Sequence, residues 1–223
     1  MGEMVEFAAN GGTAKGYLAL PEGGSGPGLI VLQEWWGLVP HIKTVADRFA
    51  AAGFVALAPD MYDGESAGHP DDAGRMMMAL NIEETAKKLR GGAQYLIAHD
   101  AVTSTKVGTL GFCMGGMLSL FGATVAPEVG AAVSFYGIHP NITPDFSKLS
   151  GPVLCHWAEE DGFIPAENAK GLTNAISEAG GDVKAHWYPA GHAFFNDTRD
   201  AYDATQAEAA WERSVAFLQA NLA

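Results

Sequence analysis

A chain of 223 residues, 48% hydrophobic and 17% charged, has the apolar content for a large core and excludes a disordered polymer. Its formal charge of −13, from 26 acidic and 13 basic residues, argues against nucleic acid or an anionic membrane as partner, because such a surface repels phosphate. The same field opposes anionic small molecules at long range, so an anion site would need arginines close by.

In chain order, Met1-Gly2-Glu3-Met4-Val5-Glu6 lacks the basic-then-apolar pattern of a secretory signal, and Glu6 stands where myristoylation needs Ser or Thr. No run of about 18 apolar residues follows, so no membrane-spanning helix is expected and the cytoplasm is the expected location. Met4–Ala9 and Thr13–Leu20 read as two strands around the turn Asn10-Gly11-Gly12. Gly28–Gln33 is a continuous apolar run, as in a strand covered on both faces. His41–Ala52 has helical spacing and ends at Gly53, and Phe54–Ala58 is a second buried strand. Met61–Asp72 reads as loop. Ala73–His99 is helical in composition, with breaks expected near Asn81 and Gly91-Gly92. Lys106–Phe112 is a strand and Gly115–Ala123 a helix. Ala131–Tyr136 and Val153–Trp157 are strands, Ala166–Glu178 a helix, Val183–Tyr188 a strand and Ala201–Asn221 an amphipathic helix.

Strand-then-helix alternation predicts one α/β domain over 1–223, of the α/β-hydrolase fold: a mostly parallel central sheet, helices on both faces, and the N-terminal hairpin adding antiparallel strands at one edge.

The segment Lys106–Gly116 carries the chemistry. A strand runs into Gly111-Phe112-Cys113-Met114-Gly115 and a helix follows, which is the nucleophile-elbow pattern with sulfur in place of a serine oxygen. Glycines two residues either side clear space at a strained turn. The helix N-terminus there favours a thiolate and an oxyanion, with the Met114 N–H as a candidate oxyanion donor. Hydrolases of this fold order their residues nucleophile, acid, histidine. After Cys113, the strand Val153–Trp157 leads to Glu159, Glu160 and Asp161. Asp161 is preferred because Asp161-Gly162-Phe163-Ile164-Pro165 closes a loop and opens the next helix. His192, in Gly191-His192-Ala193-Phe194, follows the strand Val183–Tyr188 and is the candidate base. Cys155 and His156 lie within a strand and read as core. His41, His69, His99, His139 and His186 show no partner pattern, and no spacing suggests a metal site or a cofactor. Two cysteines are too few for a disulfide framework and fit a reducing compartment.

Gly111–Gly116, Asp161-Gly162, Gly191–Phe194, Gln33-Glu34-Trp35-Trp36-Gly37-Leu38 and Pro59-Asp60-Met61-Tyr62 together resemble the dienelactone hydrolase family (carboxymethylenebutenolidase) along essentially the whole chain. The resemblance implies a cysteine-dependent hydrolase of esters or lactones that forms a thioester, needs no metal or cofactor, and acts on a small-molecule substrate as a monomer or small homo-oligomer. It also implies that Glu34 takes the thiol proton when substrate enters, with the Trp35 N–H as the second oxyanion donor. Dienelactone-cleaving members carry an arginine four residues after the histidine, where this chain has Asn196; Arg199 or Arg75 would have to substitute. Trp35, Trp36, Tyr62, Tyr136, Phe163 and Phe195 are candidate pocket aromatics. A non-catalytic binding protein, or an acyltransferase using the same cysteine, would have the same sequence features.

Overall fold

The computed structural model describes residues 2–9 and 11–222. Its strands are β1 (Glu3–Ala9), β2 (Gly12–Ala19), β3 (Gly28–Leu32), β4 (Val55–Pro59), β5 (Val107–Phe112), β6 (Val129–Phe135), β7 (Val153–Glu160) and β8 (Val183–Gly191). Its helices are α1 (Pro40–Ala51), α2 (Pro70–Met78), α3 (Ile82–Ala98), α4 (Met114–Val125), α5 (Ala166–Glu178) and α6 (Ala204–Leu222). All eight strands join one sheet in the order β1-β2-β4-β3-β5-β6-β7-β8. Pairing is antiparallel for β1–β2 and β2–β4 and parallel from β4 to β8. The expected α/β-hydrolase architecture is therefore present. Asn10, part of the expected hairpin turn, lies outside the described residues.

Every residue of β3, β4 and β5 is buried, which explains their unbroken apolar runs. Helices α1 and α6 cover one face and meet where Phe49 packs on Trp211 at 4.4 Å. Helices α3 and α4 cover the other. None of the described helices is long and apolar enough to cross a membrane.

Two elements differ from expectation and a third agrees with it. The loop after Met61 ends early, because Pro70 opens α2 at a position where its missing N–H is harmless. Asn81 does divide two helices, and its side-chain oxygen accepts from the Glu83 and Glu84 N–H groups to start α3. Gly91-Gly92, however, does not break α3. A Cβ on Gly91 would strike the Ala8 carbonyl, so glycine there lets the helix lie close on β1.

From β3 the chain moves outward to β4, then returns to the other side of β3 with β5. The connections after β3 and β5 thus diverge and open a crevice at the carboxyl end of the sheet. Glu34 follows β3 there, and Cys113 follows β5.

Candidate active site

Cys113 has φ 54° and ψ −118°, a conformation that a side-chain-bearing residue adopts only when its surroundings enforce it. The enforcement is local. A Cβ on Gly111 would strike the Gly115 carbonyl, and one on Gly115 would strike the Leu32 and Gln33 carbonyls of the neighbouring strand. Only glycine at both positions lets β5 turn directly into α4 against β3. The turn leaves Cys113 at the N-cap of α4 with the Trp35 and Met114 N–H groups directed at its sulfur.

Asp161 and His192 extend past β7 and β8, which pair further than the sequence suggests, as far as Glu160 opposite Gly191. That register sets the two side chains together: His192 Nδ1 lies 2.8 Å from Asp161 Oδ2. Asp161 Oδ1 accepts the Phe163 and Ile164 N–H groups at 2.8 and 2.9 Å, which fixes the loop. Burial pulls the Asp161 carboxyl upward, but the His192 hydrogen bond and charge, with the two N–H groups, outweigh it and hold it below its ordinary range. An ionised Asp161 favours the tautomer with hydrogen on Nδ1 and leaves Nε2 of His192 free to take a proton.

Glu34 is buried, with 2% of its surface exposed. Burial raises its carboxyl above the ordinary value, while the Asn196 hydrogen bond and the charges of His192 and Arg199 pull the other way. Asn196 Nδ2 donates to Glu34 Oε2 at 2.6 Å, and Asn196 Oδ1 accepts from the Thr198 N–H and hydroxyl at 3.0 and 2.7 Å. A neutral amide, itself held in place, thus stands against the carboxyl where an arginine would bring a charge. Burial, then the Glu34 charge, pushes the Cys113 thiol up to about 12, against the Met114 and Trp35 N–H groups. Cys155 is also pushed up to about 12, by burial alone, and lies fully enclosed in β7.

Glu34, Trp35, Cys113 and His192 open into one cavity of about 470 Å³, a size suited to a small organic molecule. Trp36, Met77, Ile138, Pro140 and Phe163 give it an almost wholly apolar wall, and Arg199, Asp200 and Ala201 close one side. Arg199 lies 3.9 Å from the centroid of the Trp36 ring, stacked rather than directed at an anion. Phe163 is 63% exposed at the mouth and meets Trp35 edge-on at 6.2 Å.

The structure brings Cys113, Glu34, Trp35, Met114, Asp161, His192 and Asn196 together, and places Trp36, Phe163 and Arg199 on the cavity wall. It does not bring Arg75 there: that side chain is exposed on α2 and pairs with Asp72. Tyr62, Tyr136 and Phe195 are buried and do not line the cavity, so they are not contacts for a molecule bound there. Strand-end aromatics can face inward or outward, and their spacing does not tell which. Met77, Ile138, Pro140, Ala193, Asp200 and Ala201 line the cavity unforeseen, because Met77 is one of several apolar residues of α2 and the others sit in connections without any chemical signature. Among the described residues, no three His, Cys, Asp or Glu side chains are placed to hold a metal ion.

A switch-point crevice, a strained strand-to-helix elbow at Cys113 and a histidine–carboxylate pair on the last two strands are the marks of an α/β-hydrolase. The sequence model of the dienelactone hydrolase family matches residues 14–222, and the chain belongs to that family. It is 40% identical to protein usf of Aquifex pyrophilus and 36% identical to a "Putative carboxymethylenebutenolidase" of Aquifex aeolicus, each alignment covering 100% of both chains. A crystal structure described as a "Putative Dienelactone Hydrolase" from Klebsiella pneumoniae superposes with a TM-score of 0.86 at 26% identity, covering 98% of this chain and 99% of that one. By family the protein is a carboxylic ester hydrolase of the carboxymethylenebutenolidase type.

Proposed function

We propose that the protein hydrolyses uncharged esters or lactones with an apolar acyl portion, through a thioester on Cys113. The observation that carries this reading is a single cavity containing the elbow thiol, its two facing N–H groups and a histidine paired to a carboxylate. The thiol proton passes to Glu34 or to Nε2 of His192. The thiolate forms a bond to the carbonyl carbon, and the Trp35 and Met114 N–H groups hold the oxygen as it gains charge. Collapse breaks the ester C–O bond, and the leaving oxygen takes a proton from the site. Water, giving its proton to His192, then attacks the thioester, and the acid departs as the thiol reforms.

Asn196 and the apolar wall support the preference for uncharged substrates. Among the described residues that line the cavity, Arg199 is the one arginine, and it is stacked on Trp36. The test uses p-nitrophenyl acetate, a carboxylated dienelactone and its uncharged ester. Cys113→Ala should abolish turnover of each substrate the parent accepts, by about 10⁴-fold or more, and the parent should cleave the uncharged lactone at least as well as the acid. Undiminished turnover by the alanine variant would end the cysteine reading, and a strong preference for the acid would end the assignment of substrate class.

A further inference from the structure

Two cavities meet at a single side chain. The reactive cavity of about 470 Å³ and a second of about 310 Å³ both have Ile138 in their walls. Met117 of α4, Ala169 and Leu172 of α5, Ile164 and the buried Trp157 of β7 give the second one a largely apolar lining. Its size is at the lower end of the range for small-molecule sites. The polar side chains around it are engaged elsewhere or exposed to solvent. His139 accepts the Asn141 N–H at Nδ1, 3.1 Å away, and so donates from Nε2 to the Met77 carbonyl, also at 3.1 Å. Trp157 donates its indole N–H to Thr173 Oγ1 at 3.1 Å. Asn168 is exposed. What remains is hydrocarbon surface, suited to a guest without polar groups.

The partition is a side chain on a fixed backbone. Ile138 donates its N–H to the Cys113 carbonyl at 3.1 Å. The next residue, His139, is tied to α2 through Met77, itself part of the reactive cavity's wall. One residue earlier, a Cβ on Gly137 would strike Ser134 Oγ and the Gly116 backbone, so glycine lets this segment lie directly on the first turn of α4. The loop after β7 is pinned in the same way. Asp161 Oδ1 accepts the Phe163 and Ile164 N–H groups, and of these consecutive residues Phe163 lines the reactive cavity and Ile164 the second. With the main chain held at both places, a passage opens by side-chain rotation. Ile138 is half-buried with a cavity on either side, and a change of staggered rotamer there is fast.

We propose that the second cavity is a subsite for the distal hydrocarbon chain of a longer ester, and that Ile138 is the side chain that turns aside to admit it. The inference rests on the proposed hydrolysis at Cys113 and extends it to a substrate class. Short esters occupy the reactive cavity alone. A straight chain long enough to pass Ile138 gains the apolar contact of Met117, Ile164 and Leu172 beyond it, and that gain sets the preference for chain length. The bonds made and broken at Cys113 are the same for both.

The test fills the second cavity from its far side and reads ratios of kcat/KM in the full chain. One series varies the acyl chain, with p-nitrophenyl octanoate against the acetate. The other varies the alcohol chain, with octyl acetate against ethyl acetate. Leu172→Trp should lower the long-to-short ratio about tenfold in one series or the other, the effect of leaving about two methylenes in water, and the series that responds tells which end of the ester enters. Ile138→Ala removes the partition and should raise that same ratio, and adding Leu172→Trp to it should cancel the gain. Ratios unmoved by Leu172→Trp in both series would overturn the proposal, as would a gain from Ile138→Ala that survives Leu172→Trp. If the tryptophan variant proves unstable, Leu172→Phe fills part of the same space, and a ratio it leaves unmoved counts against the subsite equally. Cys113→Ala is run alongside. Turnover without the thiol defeats the nucleophile reading itself, whereas an inactive alanine variant with unmoved Leu172→Trp ratios defeats only the inference about the second cavity.

Discussion

Glu34 is a carboxyl held where its charged form is disfavoured, and its stability effect follows from that. Its folded value lies above the ordinary 4.5, so the folded protein keeps this proton longer than the unfolded chain does. The resulting penalty is absent below 4.5, grows as pH rises, and is complete above the folded value. Glu34→Gln should therefore unfold at higher urea concentration than the parent at pH 8, with the difference shrinking toward pH 4. The same variant should lose about 10²-fold in kcat/KM, the usual loss for a missing proton acceptor. A variant equally active, or no more stable at pH 8, would show that Glu34 is an ordinary loop acid. The positions of Cys113, Asp161 and His192 were legible in the sequence because each follows a strand in a known chain order, whereas Glu34 was pointed to by the family resemblance. The placement of Arg75 and Tyr136 outside the cavity lining was not legible, because their residue types suit a pocket and only the fold shows which way they go. Asn196 was legible as a departure from the family pattern, but its hydrogen bond to Glu34 was not, since the two residues meet only through the folded sheet.

At the scale of elements, the glycines around Cys113 and those elsewhere do different work. Gly115→Ala would press a methyl group against the Leu32 and Gln33 carbonyls, which belong to backbone and cannot step aside. A stability loss of about 1–3 kcal/mol is expected, with loss of turnover as the elbow opens. Gly171 lies within α5 and a Cβ there meets nothing within 4 Å. Gly171→Ala should accordingly stabilise the protein by about 0.5–1 kcal/mol and leave turnover unchanged. Thermal melts and p-nitrophenyl acetate assays on both variants check the pair, and equal behaviour of the two would contradict the packing argument. Element type was legible throughout from hydrophobic period. Gly91-Gly92 misled because glycine weakens a helix in isolation, whereas here it lets α3 approach β1. The full lengths of β7 and β8 were hidden too, because Glu159 and Glu160 are exposed ends of a strand that pairing alone extends.

For the whole molecule, the dominant titration is of buried histidines. Burial lowers His41, His139 and His156, and also His186 to which Arg213 and Lys184 add. His156 shows why. It sits in β7 with Nδ1 2.7 Å from the Tyr188 hydroxyl and Nε2 3.0 Å from Ser214 Oγ, and Ser214 in turn donates to the Ala210 carbonyl at 2.7 Å. The ring donates from Nε2 and accepts at Nδ1, so one proton satisfies it and a second would meet the Tyr188 O–H head-on. This link ties α6 to β7 and β8. Because the folded values lie below 6.5, the unfolded chain takes protons first and stability falls as pH drops through 6.5. Asp161, held low when folded, adds to the loss below 3.8. The opposite slope from Glu34 is a single group against four. The urea midpoint should therefore fall between pH 7.5 and 5.5, and His156→Gln should show a shallower decline; a flat midpoint would mean that the histidines remain solvated. The parallel sheet was legible from strand-helix alternation. The reversal of direction between β4 and β5 was not, because buried apolar strands resemble one another in sequence. Yet that reversal creates the crevice.

The two adjacent indoles of that crevice have an optical consequence. Trp35 and Trp36 lie edge to face at 5.2 Å on the cavity wall, while Trp157 is wholly enclosed in the core. An unreactive neutral short-chain ester analogue entering the cavity should displace water from this pair and leave Trp157, Trp187 and Trp211, which do not line it, untouched. Its arrival should shift the intrinsic emission to shorter wavelength in proportion to occupancy, and Trp36→Phe should remove much of that signal. A full signal retained in both Trp35→Phe and Trp36→Phe would place the ligand elsewhere. The apolar wall thus doubles as a spectroscopic reporter, and affinity can be read from it without any turnover.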